Sequence, residues 1–309
     1  MVGSGRGLVR AMLALLLVCS SGGGLQAQGG LAPRLLSPVP VGVNFGAVGY
    51  VYSSGNVLLD EALPLEDTQA RLHSIFASYV RSIDLFGLSG RISASVPMAN
   101  GKWTAELDGR DTTTVRNGVG DPVVGLGIAL VGAPAMRAAD FATYRPRLVV
   151  GTSVLVRVPI GQYDSAKFFN VGTNRWQAVV GVGAGLHAGR WEFELHVRGW
   201  FNATNDDFFG SNRLSQRPLV GFQLHGAYAF KRGLWAALSV GQSFGGATVT
   251  NGVEQDNSQQ NNRIGATIGV PIHGAWGLKA AYTVGVATRF GGDFDVATIG
   301  VTYFWGGRK

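Results

Sequence analysis

The chain has 309 residues, of which 46% are hydrophobic, only 15% are charged and 47 are glycine. Glycine stands at about twice its usual share, yet there are only 11 prolines and no Gly-X-Y period, which excludes collagen, and 10% aromatic residues exclude a disordered chain. The formal charge of +7 would suit nucleic acid, but the basic residues are scattered singly, so no nucleic-acid partner is expected.

The N-terminus carries an export signal. Arg6 and Arg10 form a basic region, the run from Ala11 to Val18 is apolar, and small and polar residues lead to Gln26-Ala27. Residues 1–27 therefore read as a cleaved signal peptide, and removing Arg6 and Arg10 leaves +5 on the mature chain. Cys19, the only cysteine, lies in that signal, and Val18 is a poor neighbour for a lipidated cysteine. The remainder has no cysteine, which excludes disulfides and cysteine metal sites. An N-terminal segment, 28–40, follows. Beyond Val18 no apolar run approaches the roughly 18–20 residues of a spanning helix.

From Val41 to Trp305 the hydrophobic pattern has period two, the mark of β-strands. In Trp191-Glu192-Phe193-Glu194-Leu195-His196-Val197-Arg198 the odd positions are apolar and the even ones charged or imidazole. The pattern predicts strands at 41–53, 69–83, 86–98, 119–131, 146–159, 174–188, 190–203, 217–230, 233–245, 261–271, 275–289 and 293–305. Links near 84–85, 189, 231–232 and 272–274 are short, whereas 54–68, 99–118, 160–173, 204–216 and 246–260 are long and polar. Two links break the alternation: 132–145 is long and 290–292 is short. Tight turns at one end and loops at the other suit a transmembrane barrel, with both chain ends on the short-turn, periplasmic side.

A soluble β-sandwich would show the same alternation. Strand length favours the membrane, as do charges placed beside glycines and serines, and aromatic residues near strand ends. Trp176, Trp191, Phe201, Tyr228, Phe230, Trp276, Tyr303 and Trp305 would suit interfacial girdles. The expected fold is thus all-β: an antiparallel transmembrane barrel of about 12 strands over 41–305, in the bacterial outer membrane and surrounded by its lipid. A tail, 306–309, follows it. Tyr303-Phe304-Trp305 resembles the terminal-strand signal read by the outer-membrane assembly machinery, although Gly306 to Lys309 extend past it.

If Trp191, Phe193, Leu195 and Val197 face lipid, then Glu192, Glu194, His196 and Arg198 face the lumen. The same parity sends Arg91, Arg147, Arg157, Arg263, Lys279 and Arg289 inward, where they escape the roughly 2–4 kcal/mol that a charge costs on the lipid face. Seven cations against two carboxylates make an electropositive interior suited to anions such as aromatic carboxylates. Alternatively these charges pair across the lumen and brace a nearly closed barrel. On the outer loop, Asp164, Asn170, Asn174 and Arg175 are candidates for an inward constriction, or for a loop held by its own turn chemistry.

Enzyme chemistry finds little support. The histidines at 73, 187, 196, 225 and 273 show no zinc-protease spacing. Asn205-Asp206-Asp207 lacks the spaced ligands of a calcium loop, and Gly181-Val182-Gly183-Ala184-Gly185 lies in a strand pattern rather than before a helix. No catalytic residue, metal or cofactor is expected.

Pro159-Ile160-Gly161-Gln162-Tyr163-Asp164, followed by Asn170-Val171-Gly172-Thr173-Asn174-Arg175-Trp176, resembles a block typical of the family called MetA-pathway of phenol degradation. Gly120-Asp121-Pro122, Asn205-Asp206-Asp207-Phe208, Asn262-Arg263-Ile264-Gly265 and Thr288 to Phe294 support it, and Ile160 departs from the usual threonine. The resemblance implies an outer-membrane, transporter-like barrel that admits small, aromatic compounds. A structural non-conducting barrel and a membrane-embedded lipid-modifying enzyme are the alternatives.

Overall fold

The computed structural model describes residues 30–58, 65–107, 109–231 and 233–307. The expected signal peptide and the last two residues of the tail lie outside them. The described residues form a closed antiparallel barrel of twelve strands, sealed where the first strand pairs with the last, Val43 opposite Gly306 and Leu58 opposite Gly291.

The wall runs in chain order through β1 (Val43–Leu58), β2 (Leu65–Leu85), β3 (Leu88–Leu107), β4 (Arg110–Val119) with β5 (Val123–Val131), β6 (Leu148–Arg157), β7 (Gln177–Ala188) and β8 (Trp191–Asn202). It continues, past two short strands β9 (Asn205–Phe208) and β10 (Asn212–Gln216), through β11 (Leu219–Lys231) and β12 (Leu234–Gly245). After β13 (Thr248–Thr250) and β14 (Val253–Glu254) it closes with β15 (Gln259–Pro271), β16 (Trp276–Ala287) and β17 (Gly291–Gly306). A single helical turn, α1 (Ala138–Phe141), sits in the long link at the short-turn end. Strands β9, β10, β13 and β14 form a separate small sheet at the loop end.

All twelve expected segments fall on wall strands. The link at 99–118 departs from expectation: it is a hairpin, because β3 continues to Leu107 and β4 returns to Val119. Period two persists there, but the outward face changes from Val96 and Met98 to Asn100 and Lys102, as the strand leaves lipid for water. Strands β4 and β5 occupy one wall position between them. They pair with the two halves of β3 and are parted by Gly120-Asp121-Pro122, where proline lacks the N–H needed to continue the ladder.

The outer face is exposed and apolar in its middle. Val48, Ile75, Leu126, Val182, Leu195, Leu224, Leu238 and Ile268 are all exposed, an arrangement that only lipid makes favourable. At the short-turn end an aromatic ladder borders this band. Trp191 lies 4.8 Å from Tyr228, and Trp276 lies 4.7 Å from Tyr303, which stacks on Trp305. Trp176 and Phe201 are exposed at the other end.

Candidate functional site: the lumen, its plug and its outer loop

Strand β8 supplies most of the charge inside. Its even positions turn inward, so Glu192, Glu194, His196 and Arg198 are buried while Trp191, Phe193 and Leu195 are exposed. Its neighbours on the inner wall are mostly small: Glu194 stands opposite Gly185 on β7, His196 opposite Gly183, and Arg198 opposite Gly181. Those glycines make room for the side chains. A Cβ on Gly183 would collide with the His196 ring, and one on Gly181 would come within 3.2 Å of the Arg198 stem.

Residues 30–40 run inside the barrel as a plug. Arg34 Nε donates to Glu192 Oε2 at 2.9 Å, and Ser37 Oγ donates to the other oxygen of the same carboxylate. The backbone N–H groups of Leu35 and Leu36 donate to Glu194 at 3.0 and 2.7 Å, and His196 lies 3.2 Å from it. Arg91 on β3 donates to the carbonyls of Leu35 and Ser37, both at 2.7 Å. Leu36 packs over Gly151 and Gly185, Leu31 over Gly241 and Gly265, and the Arg34 guanidinium sits 5.1 Å from the Trp235 ring centroid. The segment thus crosses the lumen from β3, β6 and β7 to β12 and β15.

Four of the charged positions expected to line the lumen, Arg91, Glu192, Glu194 and His196, therefore face the plug. The sequence contained a signal for this that parity did not use. Leu31-Ala32-Pro33-Arg34-Leu35-Leu36-Ser37-Pro38 is apolar without alternation, and its one cation matches the two carboxylates on β8. Arg157 and Arg198 are also buried inside, and neither makes a hydrogen bond or ion pair among the described residues. Arg263 donates to the Gly292 carbonyl at 2.8 Å, and Lys279 is half-buried on β16.

Arg147 and Arg289 lie outside the strand ladder. Both are exposed just beyond the ends of strands, Arg147 ahead of β6 and Arg289 in the turn after β16, where it pairs with Asp256 at 3.0 Å. Period-two parity has no meaning once the chain leaves the ladder.

The loop 158–176 folds over the outer end. Asp121, at the break between β4 and β5, accepts hydrogen bonds from Gly161 N, Thr173 N and Thr173 Oγ1 at 2.9, 2.8 and 2.6 Å. The loop's two ends therefore meet at one buried carboxylate. Gly161 and Gly172 touch backbone to backbone: a Cβ on Gly172 would lie 2.7 Å from the Gly161 carbonyl carbon. Phe169 reaches down to stack on Trp103 at 5.1 Å, against a cluster that includes Val57, Leu72 and Phe294.

The four expected constriction residues divide. Asp164 pairs with Arg116 at 3.2 Å, and Asn170 bonds to Asp164 N, Asp164 O and Lys167 O, so both hold the loop itself. The Ala166 N–H and the Arg116 guanidinium hold the Asp164 carboxyl below its ordinary value of 3.8. Asn174, in a left-handed conformation with φ of 51°, bonds to the buried Asn205. Arg175 turns into the interior and donates to Gln216 Oε1 at 2.8 Å. Burial, with Arg157 close by, lowers the Arg175 pKa to about 10, so it remains a cation.

These contacts account for the family block residue by residue: Gly161 and Gly172 for close approach, Asp121 and Thr173 as the clasp, Asn174 for its backbone angle. Among curated proteins none matches the sequence. Among solved structures, the COG4313 outer membrane channel from Pseudomonas putida F1 is 20% identical with a TM-score of 0.73, over 89% of this chain and 100% of that one. The beta domain of the Bordetella autotransporter BrkA is 10% identical with a TM-score of 0.51, over 85% and 100% respectively. Residues 42–294 match the model of the family described as Putative MetA-pathway of phenol degradation, and the chain belongs to that family.

Proposed function

We propose that the chain is a passive outer-membrane channel for small hydrophobic or aromatic compounds, anionic ones among them, which pass by diffusion without covalent chemistry. The charge of the inner wall is the chief support. Glu192 and Glu194 are engaged by the plug and His196, while Arg157 and Arg198 stand buried inside without an ion-pair partner among the described residues. Asp121 and Glu194 act on Arg157 and Arg198 only at longer range and are engaged elsewhere, and buried cations so placed attract anions. Liposome swelling with benzoate, benzyl alcohol and small sugars tests this. Faster entry of the two aromatic solutes is expected, and no entry of any solute would overturn it.

A non-conducting barrel is the second reading, and the plug's hydrogen bonds across the lumen favour it. The two readings part on removal of residues 30–40. A channel gains flux when the segment leaves, whereas a structural barrel loses stability without gaining flux.

A further inference from the structure

Between the plug and the wall formed by β3, β5, β6 and β7 lies a cavity of about 110 Å3 that is partly open to solvent. Its wall has an unusual flatness that comes directly from the sequence. The register places Arg91, Gly127, Ser153, Gly181 and Arg198 opposite one another on successive strands. Two arginines therefore bracket three residues with little or no side chain. A Cβ on Gly127 would make only ordinary contacts, the nearest at 3.8 Å, so that point of the wall has room for a side chain. The facing surface, from the plug, is apolar: Leu35 and Leu36.

The two arginines are not equivalent. Arg91 already donates to the carbonyls of Leu35 and Ser37. Arg198 is 9% exposed, lines the cavity, and has no hydrogen bond or ion pair among the described residues. Glu194, the carboxylate that acts on it electrostatically, is occupied by two plug N–H groups and His196.

We infer that this cavity is a binding site for a monoanionic carboxylate with a compact apolar body, its carboxylate on Arg198 and its body between Leu36 and the Gly127–Ser153–Gly181 wall. A planar guanidinium offers paired donors to a carboxylate, while the apolar surfaces would take the remainder of the ligand out of water. The inference deepens the channel proposal and rests on it, adding a defined station at which an anion is held.

Equilibrium binding of benzoate and of benzyl alcohol to the purified full-length barrel in detergent, followed by calorimetry, tests the site without requiring flux. Benzoate is expected to bind more tightly than benzyl alcohol. Arg198→Gln should weaken benzoate by about 10- to 100-fold, the scale of a charge-assisted hydrogen bond, and change benzyl alcohol little, with Arg198→Lys restoring part of the difference. Gly127→Leu, which fills the cavity and leaves the guanidinium, should weaken both ligands. Heat-modifiable migration on gels verifies that each variant is a folded barrel, and Gly127→Leu carries the test if Arg198→Gln does not fold. Equal affinity for benzoate and benzyl alcohol, or benzoate binding unchanged by either substitution, would overturn the site. Swelling by aromatic solutes in the absence of such binding would leave the channel standing and remove the site. Binding without swelling would do the reverse.

Discussion

Arg34 and Glu192, 158 positions apart in sequence, meet inside the barrel with Nε 2.9 Å from Oε2, both side chains at most 10% exposed. A buried pair of this kind does little for net stability, but loss of one partner leaves an uncompensated charge. The pair is therefore better understood as fixing the position of the plug than as strengthening the barrel.

Release of the plug follows from that chemistry. The double substitution Glu192→Gln, Glu194→Gln removes both anions that receive Arg34, Leu35 and Leu36, and each lost charge-assisted bond weakens the docking by about 1.5–3 kcal/mol. A cysteine introduced at Ala32, which is buried, should react slowly with a bulky maleimide in the otherwise unaltered protein and much faster in the double variant. Equal rates would show that these carboxylates do not hold the segment.

The outer loop depends on the contact between two glycines. Gly172→Ala places a Cβ 2.7 Å from the Gly161 carbonyl carbon, and backbone cannot retreat as a flexible side chain can. A loss of about 1–3 kcal/mol in local loop stability is expected. Hydrogen exchange across 158–176 reads it directly: protection should fall there and remain unchanged in β11 and β12.

Acid should loosen the same loop in a definite window. The Asp164 carboxyl titrates below its ordinary value of 3.8 because the Ala166 N–H and Arg116 stabilise the anion. Its contribution is therefore complete above 3.8 and is lost as the pH falls through the lowered value. Limited proteolysis of the loop should be flat through neutral and mildly acid pH and rise only at stronger acidity. Arg116→Gln should move that rise to higher pH.

The lipid-facing band can be tested at Leu195, which is 49% exposed and lies opposite Leu224 on β11. Leu195→Arg should cost up to about 2–4 kcal/mol in reversible unfolding from lipid vesicles. Its neighbour His196 faces the interior, so His196→Gln should leave the lipid contact unaffected. A small effect of the arginine would contradict a membrane-embedded β8.

Much of this architecture was legible in the residues, because lipid on one side and a lumen on the other impose strict alternation. Trp191 to Arg198 is the clearest case, and all twelve segments were visible as runs of that kind. The 99–118 hairpin was hidden because alternation there is polar on the outer face, where Asn100 and Lys102 meet water instead of lipid. The plug was only partly legible, in the apolar run from Leu31 to Pro38 and its one cation. Residues 30–40 form no regular element, and their partners are set by hydrogen bonds to Glu192, Glu194 and Arg91 that no spacing encodes. Strand parity does not reach Arg147 and Arg289, which lie past the ends of the ladder.

Conductance in planar lipid bilayers, measured for the full-length protein and for a variant lacking residues 30–40, tests the channel most directly. The proposal predicts small, discrete current steps for the full-length barrel and larger steps for the variant, with a reversal potential favouring anions in both. Folded barrels of both forms that insert and carry no current would contradict it.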